Sequence, residues 1–458
     1  MRASSDKRRK KDLVCPGVAG ILKVTNWIMS AGRIYVIGTE FLPWAKATGM
    51  AEFGGLLTAL SPHCPVTCIM PHYSGMTADA SEYPENFSLT PVPLNLPGVQ
   101  FSGNRIGSDL PEAWEIWNTF AEKSLEILRQ EAEPFDLLAL DWPTGALVSQ
   151  LKQGGTRCRR ITFTVDLVPP PERPGTHALW RAAVAAADTI HLPSESWINQ
   201  LRQMPGTEIL FNGSARWRCL RYGFDATKYL ESRTRLQFSS SVPNSSQRRE
   251  QKRAVQKANR LNEDPDAMLV IAINRWSADD QKNNRLIGCY AEELLEIRPG
   301  MIQLLVGNTS KQYMDPKLRG RFELLEARFP GRLAVGGLDW PTQLPAADLQ
   351  LMPSRYEPCG LNHAQGMMMG VLPLCSRAGC MGEPPMKDAE NAFLFDWDDA
   401  APEASANAYQ MAMRRAVDCF FARRGEWDEM VCRTIRSATE YEWKSMVPQY
   451  LAMISPPT

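Results

Sequence analysis

The chain has none of the features that assign a protein class at a glance. Its eleven cysteines include no C-x-x-C pair and no Cys/His cluster at zinc spacing, so no metal site is indicated. Their scatter fits free thiols in a reducing compartment better than a disulfide framework. No apolar run approaches the roughly 20 residues that a membrane helix needs. The best stretch, Val14 to Leu22, is short and interrupted by Pro16. No membrane span is therefore expected. Neither charge is in excess: Lys+Arg and Asp+Glu number 51 each, which gives no support to a nucleic-acid or anionic-membrane partner.

What is present is an ordinary globular composition, 44% hydrophobic and 22% charged, in 458 residues, enough for two or three domains. Residues 1–30 carry the run Lys7-Arg8-Arg9-Lys10-Lys11, read as a basic, flexible tail because Asp6 and Asp12 break a transit-peptide composition. Short apolar runs follow at Arg33–Gly38, Val66–Met70, Phe135–Leu140, Ile161–Val165 and Thr189–Leu192. Helical patterns at Ala51–Leu60, Ala113–Glu131, Ala178–Ala186 and Glu195–Gln203 separate several of them. Strands alternating with helices predict a parallel α/β sheet over 31–235, with ligands at the carboxyl ends of its strands. Polar residues Ser239–Ser246 and a charged helix from Gln247 to Leu261 mark a linker, 236–266. The Lys/Arg run of that helix reads as a solvated face. Strands at Met268–Asn274, Ile302–Gly307, Leu333–Gly336, 349–353 and 371–375 make a second parallel unit, 267–440, and 441–458 reads as a closing helix.

The stretch from Leu349 to His363 carries the chemistry. Leu349 to Met352 is apolar and of strand length; Pro353, Pro358 and Gly360 punctuate a loop. Pro358 removes an N–H that a first helical turn leaves unpaired anyway. Helix formers follow, and Gly370 ends the run. Glu357 thus stands at the mouth of a helix N-terminus, where unpaired N–H groups and a partial positive charge suit phosphate. A carboxylate beside an anion site points to sugar-nucleotide chemistry. The same spacing fits a surface loop with a helix-capping Glu, and the residues alone leave both readings open. His363 reads as a helix-surface histidine, and Met367, Met368 and Met369 as adaptable packing.

Residues 352–383, MPSRYEPCGLNHAQGMMMGVLPLCSRAGCMGE, resemble the nucleotide-sugar site of the bacterial glycogen synthase and plant starch synthase family, M-P-S-R-F-E-P-C-G-L-x-Q, G-x-x-P and T-G-G-L. Further matches are sparser. Glu40, Pro43, Lys46 and Gly49 fit the family's E-x-x-P-x-x-K-T-G-G-L-G-D-V, with Thr48, Met50, Ala51 and Glu52 as departures. Asp141, Trp142 and Thr144 remain of H-D-W-H-T, whose histidines are Leu140 and Pro143 here. In F-T-x-H-N the histidine is Asp166, which cannot donate a hydrogen bond when ionised. Asn212-Gly213 resembles the N-G-I-D turn, and Lys252 and Gln256 share the family's K-x-x-x-Q spacing. Arg275 and Lys282 fit S-R-L-x-x-Q-K-G with two extra residues between them and Asn283 for Gly. Gly379 fits T-G-G-L-x-D-T; Cys380 fills its second Gly and Pro384 its last Thr.

The resemblance implies the GT-B architecture, two Rossmann-like lobes facing a cleft, with an acceptor-side first lobe, a nucleotide-sugar second lobe and a C-terminal helix crossing back. It implies a retaining glucosyltransferase, taking glucose from ADP-glucose or UDP-glucose to the non-reducing end of an α-1,4-glucan in the plastid stroma or cytoplasm. Glu357, Arg275 and Lys282 would be catalytic. Lys46, Gly49, Asp141, Asp166, Cys359, Gly360, Leu361, Gly379 and Cys380 would bind substrate. Arg and Lys would balance the diphosphate charge without a metal or other cofactor. The lost histidines and the altered glycine loop support a competing expectation: an inactive member that binds nucleotide or glucan as a partner subunit.

Overall fold

Short, branched apolar runs fix the architecture, because a strand buried on both faces needs them. A computed structural model describes residues 32–41, 44, 49–72, 84–94, 113–212, 216–227, 246–276, 281–308, 314–337 and 340–456. Among these, β1 (Arg33–Ile37), β2 (Val66–His72), β3 (Phe87–Pro93), β4 (Phe135–Leu140), β5 (Cys158–Thr164), β6 (Thr189–Leu192) and β7 (Trp217–Cys219) form one parallel sheet in the order β3-β2-β1-β4-β5-β6-β7. A second parallel sheet runs β10-β9-β8-β11-β12-β13, from β8 (Met268–Ile273), β9 (Ile302–Asn308), β10 (Leu333–Gly337), β11 (Leu349–Met352), β12 (Leu372–Ser376) and β13 (Phe393–Phe395). The α/β reading with two Rossmann-like lobes holds.

In each sheet the strand order reverses, between β1 and β4 and between β8 and β11. Loops leaving such a pair diverge and open a crevice at the carboxyl ends. Ile37 is in register with Ala139, and Val270 with Leu349. Asp141, just after β4, and both Arg275 and Glu357, after β8 and β11, therefore lie at the two crevices.

Along β1, Ile34 and Val36 join one apolar layer while Tyr35 and Ile37 join another, the period-2 alternation of a strand. The first of these layers continues through the helices Phe53–Leu60, Trp443–Ile454 and Asn362–Met368 to Leu269 and Ile271 of β8, so the lobes share it. The helix Trp443–Ile454 packs on the first sheet although it follows the second in sequence. Its Trp443 Nε1 donates to the Glu52 carbonyl at 2.7 Å, and its ring meets that of Phe53 at 5.1 Å. A Cβ on Gly223 would stand 2.8 Å from the same indole, which only glycine permits. Among the described residues no helix is long and apolar enough to cross a membrane.

The structure departs from the sequence reading at three edge strands and at one helix. The strands β3, β7 and β13, which apolar patterning does not pick out, are all sheet edges. β3 contains Pro91 and Pro93, tolerated only at an edge, and the other two have three residues each. The helix Ser246–Ala258 is not a wholly solvated face. Arg248, Lys252 and Gln256, spaced i, i+4, i+8, are buried against the second sheet. Lys252 Nζ pairs with Asp348 at 2.6 Å, Arg248 donates to the carbonyls of Ala347 and Gly370, and Gln256 bonds Gln303 at 2.9 Å. Burial is tolerated because each polar head finds a partner at the end of the sheet opposite the crevice.

Candidate functional site

Glu357 lies in the loop after β11 and is 3% exposed. Its Oε1 accepts from Ser354 Oγ at 2.8 Å and from Lys282 Nζ in a close ion pair. Charge-assisted contacts of this kind hold a buried carboxylate in one orientation. Lys282 arrives from the loop after β8, as does Arg275. The Arg275 guanidinium donates to Gln281 Oε1, while Gln281 donates to the Tyr356 carbonyl at 3.3 Å and its own carbonyl accepts from Arg355 N at 2.8 Å. Arg275, Lys282 and Glu357 thus converge despite the two extra residues between the cations. Asn283 stands where the family has Gly and adopts φ +51, a left-handed conformation that Asn tolerates better than most residues.

A second turn, Gly379–Gly382, closes on the Glu357 loop. Gly379 has φ +57, and a Cβ there would stand 2.7 Å from the carbonyl oxygens of both Glu357 and Cys359. Cys380 N donates to the Cys359 carbonyl at 2.9 Å, and the two thiols lie 3.0 Å apart, both buried. Gly360 has φ +78 beside the Glu357 carboxylate, and Leu361 caps the helix Asn362–Met368.

The first lobe meets this surface directly through the helix Glu195–Leu201. Ser194 Oγ donates to the Pro358 carbonyl at 2.7 Å, Gly379 N donates to Ser196 Oγ at 3.1 Å, and Ser196 N donates to Glu383 at 2.8 Å. Burial pushes the Glu383 carboxyl up, the Ser196 N–H opposing it. Both backbone N–H groups of the Gly379–Cys380 pair, expected to face sugar, are therefore bonded within the protein.

On the first lobe, Asp141 leaves β4 with φ +61, a strained backbone for a non-glycine residue. Its Oδ1 accepts from Leu167 N at 3.1 Å, which ties the β4 end to the β5 end near Asp166. Gly49 opens the single turn Gly49–Glu52 that leads into the helix Phe53–Leu60. Lys46 and Gly213 lie outside the described residues. His363, expected on a helix surface, is fully buried and bonds Tyr441 Oη at 3.1 Å. The apolar layer shared by the lobes covers that side of its helix, and burial lowers its pKa to about 3.

Four residues at the site escape sequence reasoning. Ser354 and Gln281 lie inside matched motifs, and their signal was adjacency to Glu357 and Lys282. Ser196 has none. Tyr222, beyond β7, is 3% exposed, and its hydroxyl is buried without a hydrogen-bond partner among the described residues. Such an orphan costs about 1–3 kcal/mol. Burial, then Asp166 and Cys359, with Tyr450 and Asp141, hold its pKa well above the usual value.

No family model matches the chain. A glycogen synthase of Marinomonas sp. is 26% identical over 233 residues, 49% of this chain and 44% of that protein, so this match spans less than half of the relative. The glycogen synthase of Thermosipho africanus is 25% identical over 497 residues, 92% of this chain and 98% of that protein. Among solved structures, the catalytic domain of starch synthase IV from Arabidopsis thaliana, bound to ADP and acarbose, superposes with a TM-score of 0.74 at 18% identity, over 93% of this chain and 99% of that one. The sheet order, the Glu357 loop and a likeness that runs nearly end to end agree: the chain has the GT-B fold and is similar over most of its length to bacterial glycogen synthases, as a divergent relative.

Proposed function

We propose that the chain is a retaining glucosyltransferase that moves glucose from ADP-glucose or UDP-glucose to the non-reducing end of an α-1,4-glucan. One observation carries the reading: Glu357 is buried at the second-lobe crevice with Lys282 on its carboxylate and Arg275 one residue away through Gln281. Glu357 orients the donor glucose or stabilises the positive charge that develops on it. Arg275 holds diphosphate oxygens in a planar fork, and Lys282 adds a point charge. An ammonium has three donors, so its bond to Glu357 leaves two for phosphate. Together they stabilise the nucleoside diphosphate as it leaves, without a metal. Interlobe contacts at Ser194 and Ser196 keep water from the donor.

A second reading is a nucleotide-binding partner subunit without transfer. Two observations favour it: Asp166 replaces a hydrogen-bond donor, and the N–H groups of Gly379 and Cys380 are already bonded.

The test is transfer of labelled glucose from ADP-glucose and UDP-glucose to glycogen, with Glu357→Ala and Arg275→Ala beside the parent. Transfer that each substitution lowers by about 10²–10³-fold or more supports the synthase and identifies the donor. No transfer from either donor, with ADP or UDP still bound at micromolar strength, supports the partner subunit.

A further inference from the structure

A cavity of about 450 Å³ lies where the two lobes join. Three parts of the chain line it: Leu220 and Arg221 beyond β7, Glu383 just past the Gly379–Gly382 turn of the second lobe, and Ser445 and Met446 on the helix Trp443–Ile454. Arg275, Lys282 and Glu357 do not line it. Its size falls in the range of about 300–1,000 Å³ typical of small-molecule sites.

The wall selects a class of ligand. One guanidinium, Arg221, stands against two carboxylates, Glu383 and Glu440, a balance that disfavours an anion. Arg221 itself disfavours a cation, and charged groups in the wall disfavour a wholly apolar molecule. Both polar groups of the lobe junction are held but not saturated. Arg221 Nη1 donates to the Pro384 carbonyl at 2.8 Å, Nη2 reaches the Glu440 carboxylate at 3.5 Å, and the guanidinium lies over the Tyr441 ring at 5.1 Å. Glu383 Oε1 accepts from Ser196 N at 2.8 Å. A guanidinium has five N–H groups and a carboxylate about four acceptor sites, so each can bond a further partner. Leu220 and buried Met446 add apolar surface beside them. A neutral molecule with hydroxyls along its edge and C–H groups on its face fits this wall, and a short saccharide has that chemistry.

The cavity also adjoins the contacts that hold the lobes together. Pro193, in its wall, precedes Ser194, whose hydroxyl donates to the Pro358 carbonyl beside Glu357. Glu383 takes the Ser196 N–H, and Ser196 Oγ takes that of Gly379. A molecule in the cavity touches both lobes only while these contacts hold, so it binds that arrangement more tightly than one in which the lobes have parted.

We propose that this cavity binds a short neutral saccharide, and that its occupancy raises nucleotide affinity at the crevice by holding the lobes together. The site is independent of the glucosyltransferase reading and stands whether or not glucose is transferred. The coupling rests on nucleotide binding at the crevice, and by linkage the nucleotide raises saccharide affinity by the same factor.

Cys219 lines the cavity and is partly exposed, whereas Cys289 is exposed elsewhere, so the chain carries its own footprint and control. Alkylation with iodoacetamide, followed by peptide mapping, is compared without ligand, with maltose and with inorganic phosphate. Labelling of Cys219 should slow about tenfold with maltose at about ten times its dissociation constant, with Cys289 unchanged. Calorimetric titration with ADP should show affinity raised about fivefold or more by maltose in the parent. It should show no such rise in Ser445→Trp or Gln449→Trp, which fill the cavity from the helix and keep parental ADP affinity without maltose. Equal labelling of Cys219 with and without maltose overturns the site. Protection by phosphate and not by maltose overturns the ligand class. Protection of Cys219 with unchanged ADP affinity overturns the coupling. A maltose effect that persists in both filled variants places the sugar in the crevice and overturns both. A parent that does not bind ADP overturns the nucleotide readings of the crevice and the coupling with them, while the Cys219 footprint still decides the site.

Discussion

Gly379 and Glu357 are matched by shape: a Cβ on Gly379 would stand 2.7 Å from the Glu357 carbonyl oxygen and 2.9 Å from its Cβ. Gly379→Ala must therefore displace the loop that carries the carboxylate. The left-handed backbone at φ +57 adds about 1–2 kcal/mol for any residue with a Cβ. The expected outcome is a chain that still folds, with a lower urea midpoint and ADP affinity reduced at least about tenfold. Calorimetry with ADP decides it: parental affinity in the alanine variant would mean that the two turns move independently.

Lys252 and Asp348 form a buried pair at 2.6 Å, and Asp348 also accepts from Leu269 N at 2.8 Å. Burial lowers the Lys252 pKa, and Asp348 opposes that shift. Removing one partner leaves the other charge buried, so Lys252→Met should cost about 3–5 kcal/mol in urea unfolding. The double variant Lys252→Met/Asp348→Leu should recover part of that loss. A single substitution costing under about 1 kcal/mol would show that water reaches the pair. Because this pair lies at the end of the sheet remote from the crevice, ADP affinity should not change in either variant.

The same helix shows where sequence patterning stops. A run rich in Lys and Arg looks solvated because charge is costly to bury, and that argument fails only when partners arrive from distant segments. Asp348 is 96 residues from Lys252, and no local pattern reveals it. Central strands and the edge strand β10 were legible from their apolar runs, whereas the edge strands β3, β7 and β13 were not: Pro91 and Pro93 in β3 are turn signals everywhere except at a sheet edge, and the other two have three residues each. At the site, Glu357, Lys282 and Arg275 were legible through the resemblance. Tyr222 was not, because an orphaned hydroxyl exists only in the folded arrangement.

His191 and His363 set the acid limit of stability. Both are fully buried, and burial lowers their pKa values to about 4 and about 3; for His191 the Leu220 carbonyl opposes the shift. Unfolded, each titrates near 6.5. Below that pH the unfolded chain binds protons that the native chain refuses, so stability falls as pH drops. Each histidine contributes up to about 1.4 kcal/mol per pH unit in that window. Above pH 7 neither matters. Urea unfolding at pH 7, 6 and 5 should show a progressive loss, about halved in slope by His363→Gln. A stability that is flat from pH 7 to 5 would show that both imidazoles protonate in the native state.

Cys359 and Cys380 are poised for a bond that the structure does not contain. Their sulfurs are 3.0 Å apart, and the Cys380 N–H already holds the Cys359 carbonyl at 2.9 Å. A disulfide at about 2.05 Å thus needs the sulfurs to close by roughly 1 Å. Burial pushes the Cys380 thiol well above its usual pKa, with Cys359 adding to the shift. Thiolate is therefore scarce, and exchange should be slow. Exposed Cys289 should react first. With oxidised glutathione the two thiols give up two protons and two electrons, and the added disulfide leaves as two thiols. Peptide mapping without reductant should show a 359–380 link within hours. Dithiothreitol should reverse it, and Cys380→Ser should abolish it. Forming the link also removes the contact from the Cys380 thiol to the Pro193 carbonyl, 3.3 Å away on the first lobe. The oxidised protein should therefore be cleaved faster by protease in the interlobe segments. A map in which Cys289 is fully modified and no 359–380 link forms would mean that burial, not distance, governs this pair.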